Sequence, residues 1–192
     1  MMALFMTAPA SEDDERSLLV RCRAQDPAAF RRFVERHQRM VFALLSRMLG
    51  HGSEVEDLAQ ETFVRAYRAF PSFDVDGAAK ASTWLLTIAT RLALDTRKRK
   101  TLGRASLDAA DDASSGSTPE IALGRQELGR AIAAAAARLP EDQRAALVLA
   151  EHHGLTMAEI AAALGTSEAT AKTRLFRARE KMRELLGEWR ST

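Results

Sequence analysis

Apolar residues recur at helical spacing through most of this chain. Leu18, Leu19 and Cys22 mark one segment, 17 to about 25, and Phe30, Phe33, Val34, Val41, Leu44, Leu45 and Met48 mark a longer one, 28–49. Intervals of three and four residues put such side chains on one face of an α-helix. Asp26-Pro27 divides the two segments and Gly50 stops the second. Ser53, with Glu56 three residues on, has the form of a capping box and predicts a third helix to about Phe70, ended by Pro71. Its expected core stripe is Ala59, Phe63, Ala66 and Phe70, which turns Asp57, Glu61, Val64 and Arg68 outward, flanked by Glu54 and Gln60. Residues 72–81 read as a loop. Ser82 or Thr83 then caps a fourth helix with a core side of Leu85, Ile88, Ala89 and Leu92, ending in the basic run Arg97-Lys98-Arg99-Lys100.

Periodicity lapses over 101–119, where Gly, Ser, Asp and Ala dominate, and resumes in helices expected at 120–139, 141–152, 157–164 and 168–189. The expected fold is all-α: two small helical domains joined by a flexible linker. Their bounds are a disordered N-terminal tail, 1–16, a first domain, 17–100, the linker, 101–119, and a second domain, 120–192.

Net charge is only +2, but acidic and basic runs alternate along the chain, from SEDDE to RKRK to DAADDASS. Such segregation points to separate surfaces for nucleic acid and for protein. A single cysteine, Cys22, excludes an intramolecular disulfide and suits a reducing cytoplasm. The opening MMALFM is too short for a signal sequence, and no stretch reaches the ~18 apolar residues of a membrane span, so no membrane insertion is expected.

The most specific stretch is GLTMAEIAAALGTSEATAKTRLFRAREKM. Thr156 and Glu159 form a second capping box, Gly165 permits a tight turn and Ser167 caps the next helix. This is a helix-turn-helix pattern. In the second helix Ala171, Leu175, Ala178 and Met182 face inward, leaving Thr173, Phe176 and Arg177 outward with Lys172 and Arg179 on the flanks. Such a face can enter a major groove, where arginine makes bidentate contacts to guanine. The plain alternative is a helical hairpin with a solvated basic face.

A second cationic surface lies at RLALDTRKRK, where Arg97, Lys98 and Arg99 can track phosphates, although cations at a helix C-terminus also complement its dipole. Trp84 opens that helix, placed either to stack on an unpaired base or to join the core. Adjacent His152 and His153 point apart on a helix and cannot jointly hold a metal. Asp57 with Glu61 lacks a third ligand, and there is no phosphate loop or catalytic constellation, so no cofactor, metal or enzymatic activity is expected.

The order of these motifs resembles that of the extracytoplasmic-function (group IV) sigma factors of bacterial RNA polymerase. DLAQETFVRAYRAF looks like their region 2.2, STWLLTIATRLALDTRKRK like regions 2.3 and 2.4, and LPEDQRAALVLAEHHGLTMAEIAAALGTSEATAKTRLFRAREKM like region 4. The resemblance implies core RNA polymerase as partner, held through the beta-prime coiled coil and the beta flap, promoter DNA at two elements, and a cognate anti-sigma factor. It places Asp57, Gln60, Glu61 and Val64 against the coiled coil. Lys172, Thr173, Phe176, Arg177 and Arg179 fall on the minus-35 element, and Trp84, Arg91, Arg97, Lys98 and Arg99 on the minus-10 element. It also explains why like charges at Asp57 and Glu61, unfavourable one helical turn apart, are kept: a basic partner offsets them, the alternative being a solvated charged face in which Arg65, able to pair with Glu61 one turn on, and Arg68 do so. Two other classes remain at this point, a response-regulator type of helix-turn-helix protein and a site-specific recombinase. The first requires a receiver domain and the second a nucleophilic serine set.

Overall fold

The computed structural model describes residues 12–104 and 121–190. The helices are α1 (Glu12–Arg23), α2 (Pro27–Leu49), α3 (Ser53–Ala69), α4 (Ala81–Arg104), α5 (Ile121–Ala137), α6 (Glu141–Glu151), α7 (Met157–Leu164) and α8 (Glu168–Arg190), with a 3₁₀ turn at Phe70–Ser72. No strand occurs among the described residues.

Local chemistry accounts for most boundaries. Asp26 Oδ1 accepts from the amides of Ala28 and Ala29, and Pro27 supplies a first helical residue that has no amide to satisfy. The α3 start corrects the sequence reading: its N-cap is Gly52, at φ 145°, with no side-chain cap, so Ser53 and Glu56 form no capping box. Neither Ser82 nor Thr83 is a cap; Ser82 is the second residue of α4, whose first residue is Ala81, and Thr83 lies inside the helix. Helix α1 begins at Glu12, within the expected tail, and α4 runs to Arg104, into the expected linker. The rest of that linker, with Asp108, Asp111 and Asp112, lies outside the described residues.

In α2 to α4 the core is aromatic at one end and aliphatic at the other. Phe33, Phe70 and Leu44 are fully buried; Phe30, Phe33, Phe73 and Trp84 meet Phe70 edge to face, Phe30 stacks on Phe33, and Tyr67 meets Phe30 edge to face. In α3 the buried residues are Val55, Thr62 and Ala66, while Ala59 and Phe63, expected in the core, are only partly covered. Thr62 is tolerated there because its hydroxyl donates to the Leu58 carbonyl at 2.7 Å.

The two halves of the chain pack together. One apolar cluster runs from Leu18 through Leu85 and Leu94 to Ile160 and Leu175. Helix α4 packs against α2 and α3 and also against α7, while α6 rests on α2. At this junction Arg144, 4% exposed, donates to the carbonyl of Met48 at 2.8 Å and to that of Ala137. It thereby binds the carbonyl ends of α2 and α5, which carry the negative pole of the helix dipole. Burial pulls its guanidinium down to about 10, and neighbouring Arg97 adds to the effect.

Candidate nucleic-acid and docking surfaces

The helix-turn-helix is built as its sequence pattern requires. Thr156 Oγ1 accepts from the Glu159 amide, and Glu159 Oε2 accepts from the Thr156 amide at 2.8 Å, closing a reciprocal capping box at the start of α7. Gly165 ends α7 at φ 61°, a left-handed conformation that glycine adopts without a Cβ penalty. Ser167 Oγ then accepts from the Thr170 amide at the head of α8. Along α8, Ala171, Leu175, Ala178 and Met182 are buried. Lys172, Thr173, Arg177 and Arg179 are exposed, and Phe176 is 62% exposed. An exposed phenylalanine of that degree, flanked by cations, costs solvation unless something covers it. Arg179 is not free, since it pairs with Glu151 of α6 at 2.6 Å. Thr173 and Arg177 border a shallow hollow completed by Gln143 and Arg174, and Arg174 is held by Asp142 at 2.8 Å. Gln143 belongs to α6, so periodicity along α8 gave no sign of it.

On α3, Asp57, Gln60 and Val64 are exposed, and Glu61 is half-exposed on the same side. Glu61 Oε1 accepts from Arg65 at 2.7 Å, one turn on, which relieves part of its repulsion with Asp57. Beside this face runs a groove between α2 and α3, with Gln60 and Glu56 on one wall and Arg39, Phe42 and Arg47 on the other. Phe42 is 42% exposed there. Nothing in the spacing of α2 marked it, because a helix turned only partly to solvent shows apolar residues at its margin as well as in its core.

The proposed minus-10 residues are dispersed. Trp84 is partly buried, its ring 5.2 Å from Phe70 and 4.8 Å from Phe73, so the indole belongs to the aromatic core and presents only part of itself to solvent. Arg91 donates to the Ala162 carbonyl of α7 at 2.9 Å, and Arg97 to the Met48 carbonyl at 3.2 Å. Lys98 and Arg99 are exposed.

The titratable core groups serve structure. His37 lies tilted against Phe33, ring centroids 4.5 Å apart, and burial beside Arg36 lowers its pKa to about 4. His153, adjoining His152 and near Arg47, is likewise pushed to about 4 by burial. Burial raises the Cys22 thiol to about 11, which leaves it unreactive. Among the described residues no three His, Cys, Asp or Glu side chains converge on a metal position, and no helix is long and apolar enough to cross a membrane.

Comparison with known proteins matches both halves. The family model for Sigma-70 region 2 covers residues 33–102, and that for Sigma-70, region 4 covers residues 129–182. The ECF RNA polymerase sigma factor SigW of Bacillus subtilis is 37% identical over 172 residues, covering 84% of this chain and 90% of its own. The ECF RNA polymerase sigma-E factor of Escherichia coli K12 is 36% identical over 173 residues, covering 85% and 89%. Among solved structures, CnrH in complex with the cytosolic domain of CnrY aligns with a TM-score of 0.65 at 28% identity, over 90% of this chain and 97% of that one. The sigma factor RpoE of Bartonella quintana, solved with the anti-sigma factor NepR, shares the fold at a TM-score of 0.66 and 23% identity, over 82% of this chain and 96% of that one. Two family regions in the expected order, relatives more than a third identical across most of both sequences and an all-helical architecture agree: the chain belongs to the extracytoplasmic-function sigma factors of the sigma-70 family, non-catalytic subunits of bacterial RNA polymerase.

Proposed function

We propose that this sigma factor docks on core polymerase through α3 and reads a two-element promoter through α8 and α4. The observation that carries the reading is the exposed face of α8, where Thr173, Phe176 and Arg177 stand free over a buried Ala171, Leu175, Ala178 and Met182. On this reading Arg177 contacts a guanine edge in the minus-35 element, Thr173 and Phe176 meet neighbouring bases or a thymine methyl, and Lys172 and Arg179 hold phosphates. Asp57, Gln60, Glu61 and Val64 meet a basic coiled coil of the beta-prime subunit, with Phe42 adding apolar contact across the groove. Arg91, Arg97, Lys98 and Arg99 follow the minus-10 strand, and Trp84 supports that surface from the aromatic core.

The protein acts in the cytoplasm, where the polymerase is, and is held in check by a cognate anti-sigma factor. Relatives solved with CnrY and with NepR support such control. Reconstitution tests the whole reading: the purified chain added to core polymerase should direct run-off transcription from a subset of promoters in genomic DNA. Core polymerase that gains no promoter selectivity would sink it.

A further inference from the structure

Two cations of α8 are held from outside their own helix. Arg174 pairs with Asp142 Oδ2 at 2.8 Å, and Arg179 reaches Glu151 Oε1 through both Nε, at 2.8 Å, and a terminal nitrogen, at 2.6 Å. Both acids belong to α6, Asp142 in its first turn and Glu151 as its last residue. Lys181 and Arg183, by contrast, pair within α8, and Lys172 and Arg177 have no acid partner among the described residues.

Folding gives these two pairs little reason to exist. Their side chains are exposed by 27% to 53%, and ion pairs so open to water add little to stability. Glu151 even stands at the carboxyl end of α6, where the helix dipole disfavours a negative charge. What the pairs change is the charge beside the reading face. Arg174 lines the same hollow between α6 and α8 as Thr173 and Arg177, and Arg179 flanks that face further along the helix.

We infer that Asp142 and Glu151 are specificity-determining residues: they clip Arg174 and Arg179, so that α8 does not grip the phosphates of every sequence it meets. The inference rests on the upstream-element reading of α8 given above, in which Arg179 reaches a phosphate only by giving up or sharing Glu151. Phosphate contacts carry no sequence information and supply nearly all non-specific affinity. Acids that restrain them lower affinity but favour discrimination. A helix fixed by base contacts has few ways to satisfy a freed guanidinium, whereas one resting on an unrelated sequence can shift to do so.

The full-length protein is titrated onto two labelled duplexes, a minus-35 sequence selected from a randomised library and its scrambled form, at several salt concentrations. Asp142→Asn and Glu151→Gln keep side-chain shape and remove the charge, and urea denaturation checks that each variant folds. Each should bind the scrambled duplex more tightly and lower the preference for the selected one. Each should also steepen the fall of log affinity with log salt by about 0.9, so that the gain shrinks roughly threefold between about 50 and 200 mM. Adding Arg174→Gln to the first variant, or Arg179→Gln to the second, should remove the gain.

A steeper salt slope, a reduced preference and dependence on the freed arginine would support the inference. Unchanged slopes, equal gains on both duplexes, or a gain that persists without the arginine would overturn it. Were the pairs only clamps holding α6 on α8, the sign would reverse, because a loosened α8 loses the selected duplex first. Should one variant unfold, the other decides. A wild type that prefers no duplex in the library rejects the α8 reading and the inference with it, whereas a preference that both variants leave intact rejects the inference alone.

Discussion

Thr83 and Glu159 lie 76 residues apart in sequence, yet the threonine hydroxyl donates to Glu159 Oε1 at 3.0 Å. The same carboxylate, through Oε2, caps α7 at Thr156. One side chain thus starts the helix-turn-helix and ties it to α4, so its loss should be felt in both places. Thr156→Ala removes only the cap and should cost ~1 kcal/mol, while Glu159→Ala should cost more, and prior Thr83→Val should reduce that excess. Urea denaturation of the single and double variants measures the coupling. Additive effects would mean that the tie contributes nothing.

The acidic face of α3 should matter for docking and little for folding. Asp57→Lys with Glu61→Lys removes an exposed ion pair with Arg65 that contributes ~0.3 to 0.5 kcal/mol, so the melting temperature should barely move. Binding to core polymerase should weaken by several kcal/mol, since like charges then oppose a basic surface. Unchanged binding in a pull-down or by interferometry would remove the proposed role.

Base reading and phosphate holding should separate on α8. Arg177→Ala should cost ~1 to 3 kcal/mol at one promoter position and relax the preference there. Lys181, paired with Glu184 at 2.9 Å, should on replacement by alanine weaken all sequences evenly and by less. Equal losses across a randomised minus-35 library would make Arg177 a phosphate contact.

Arg144 should be the most sensitive polar residue outside the interfaces. Its bond to the Met48 carbonyl is buried and that to Ala137 partly so, and hydrogen bonds to a charged donor contribute ~1.5 to 3 kcal/mol each, so Arg144→Ala should lower stability by ~3 kcal/mol or more. Arg144→Lys should rescue little, because an ammonium lacks the planar fork that spans two carbonyls. Full stability in Arg144→Lys would show that charge alone suffices.

Acid should destabilise the fold through two histidines. Folded-state pKa values near 4 for His37 and His153, against 6.5 unfolded, mean that the unfolded chain binds protons the folded chain refuses. Stability is therefore complete above 6.5 and falls as pH drops from there toward 4. The charged neighbours are Arg36 for His37, and Arg47 and His152 for His153. Glu159, whose carboxyl is held low mainly by the Thr156 backbone amide, loses its contribution only at more acidic pH, as the carboxylate is protonated. His37→Gln and His153→Gln should each flatten the slope of unfolding free energy against pH across this window. An unchanged slope would place the acid sensitivity elsewhere.

Helix identity and most helix ends were legible in the sequence, because they depend on neighbours within one turn: Asp26 before Pro27, Thr156 with Glu159, Gly165, and the inward stripe of α8. The family followed from motif order for the same reason, since each motif is a local pattern. The Ser53–Glu56 box failed because a capping motif states what side chains can reach, not which start the packed helix adopts, and packing set that start at Gly52. What only the tertiary structure decided is the second use of local residues. Thr83, which reads as a cap, became a tie to α7; Arg91 and Arg97, which read as free cations, found carbonyls; Trp84 turned into an aromatic core. Periodicity reports that a face of α4 is apolar, but which helix covers it depends on contacts dozens of residues apart. Those contacts are fixed by the summed burial of both halves of the chain and leave no trace in any short window of sequence.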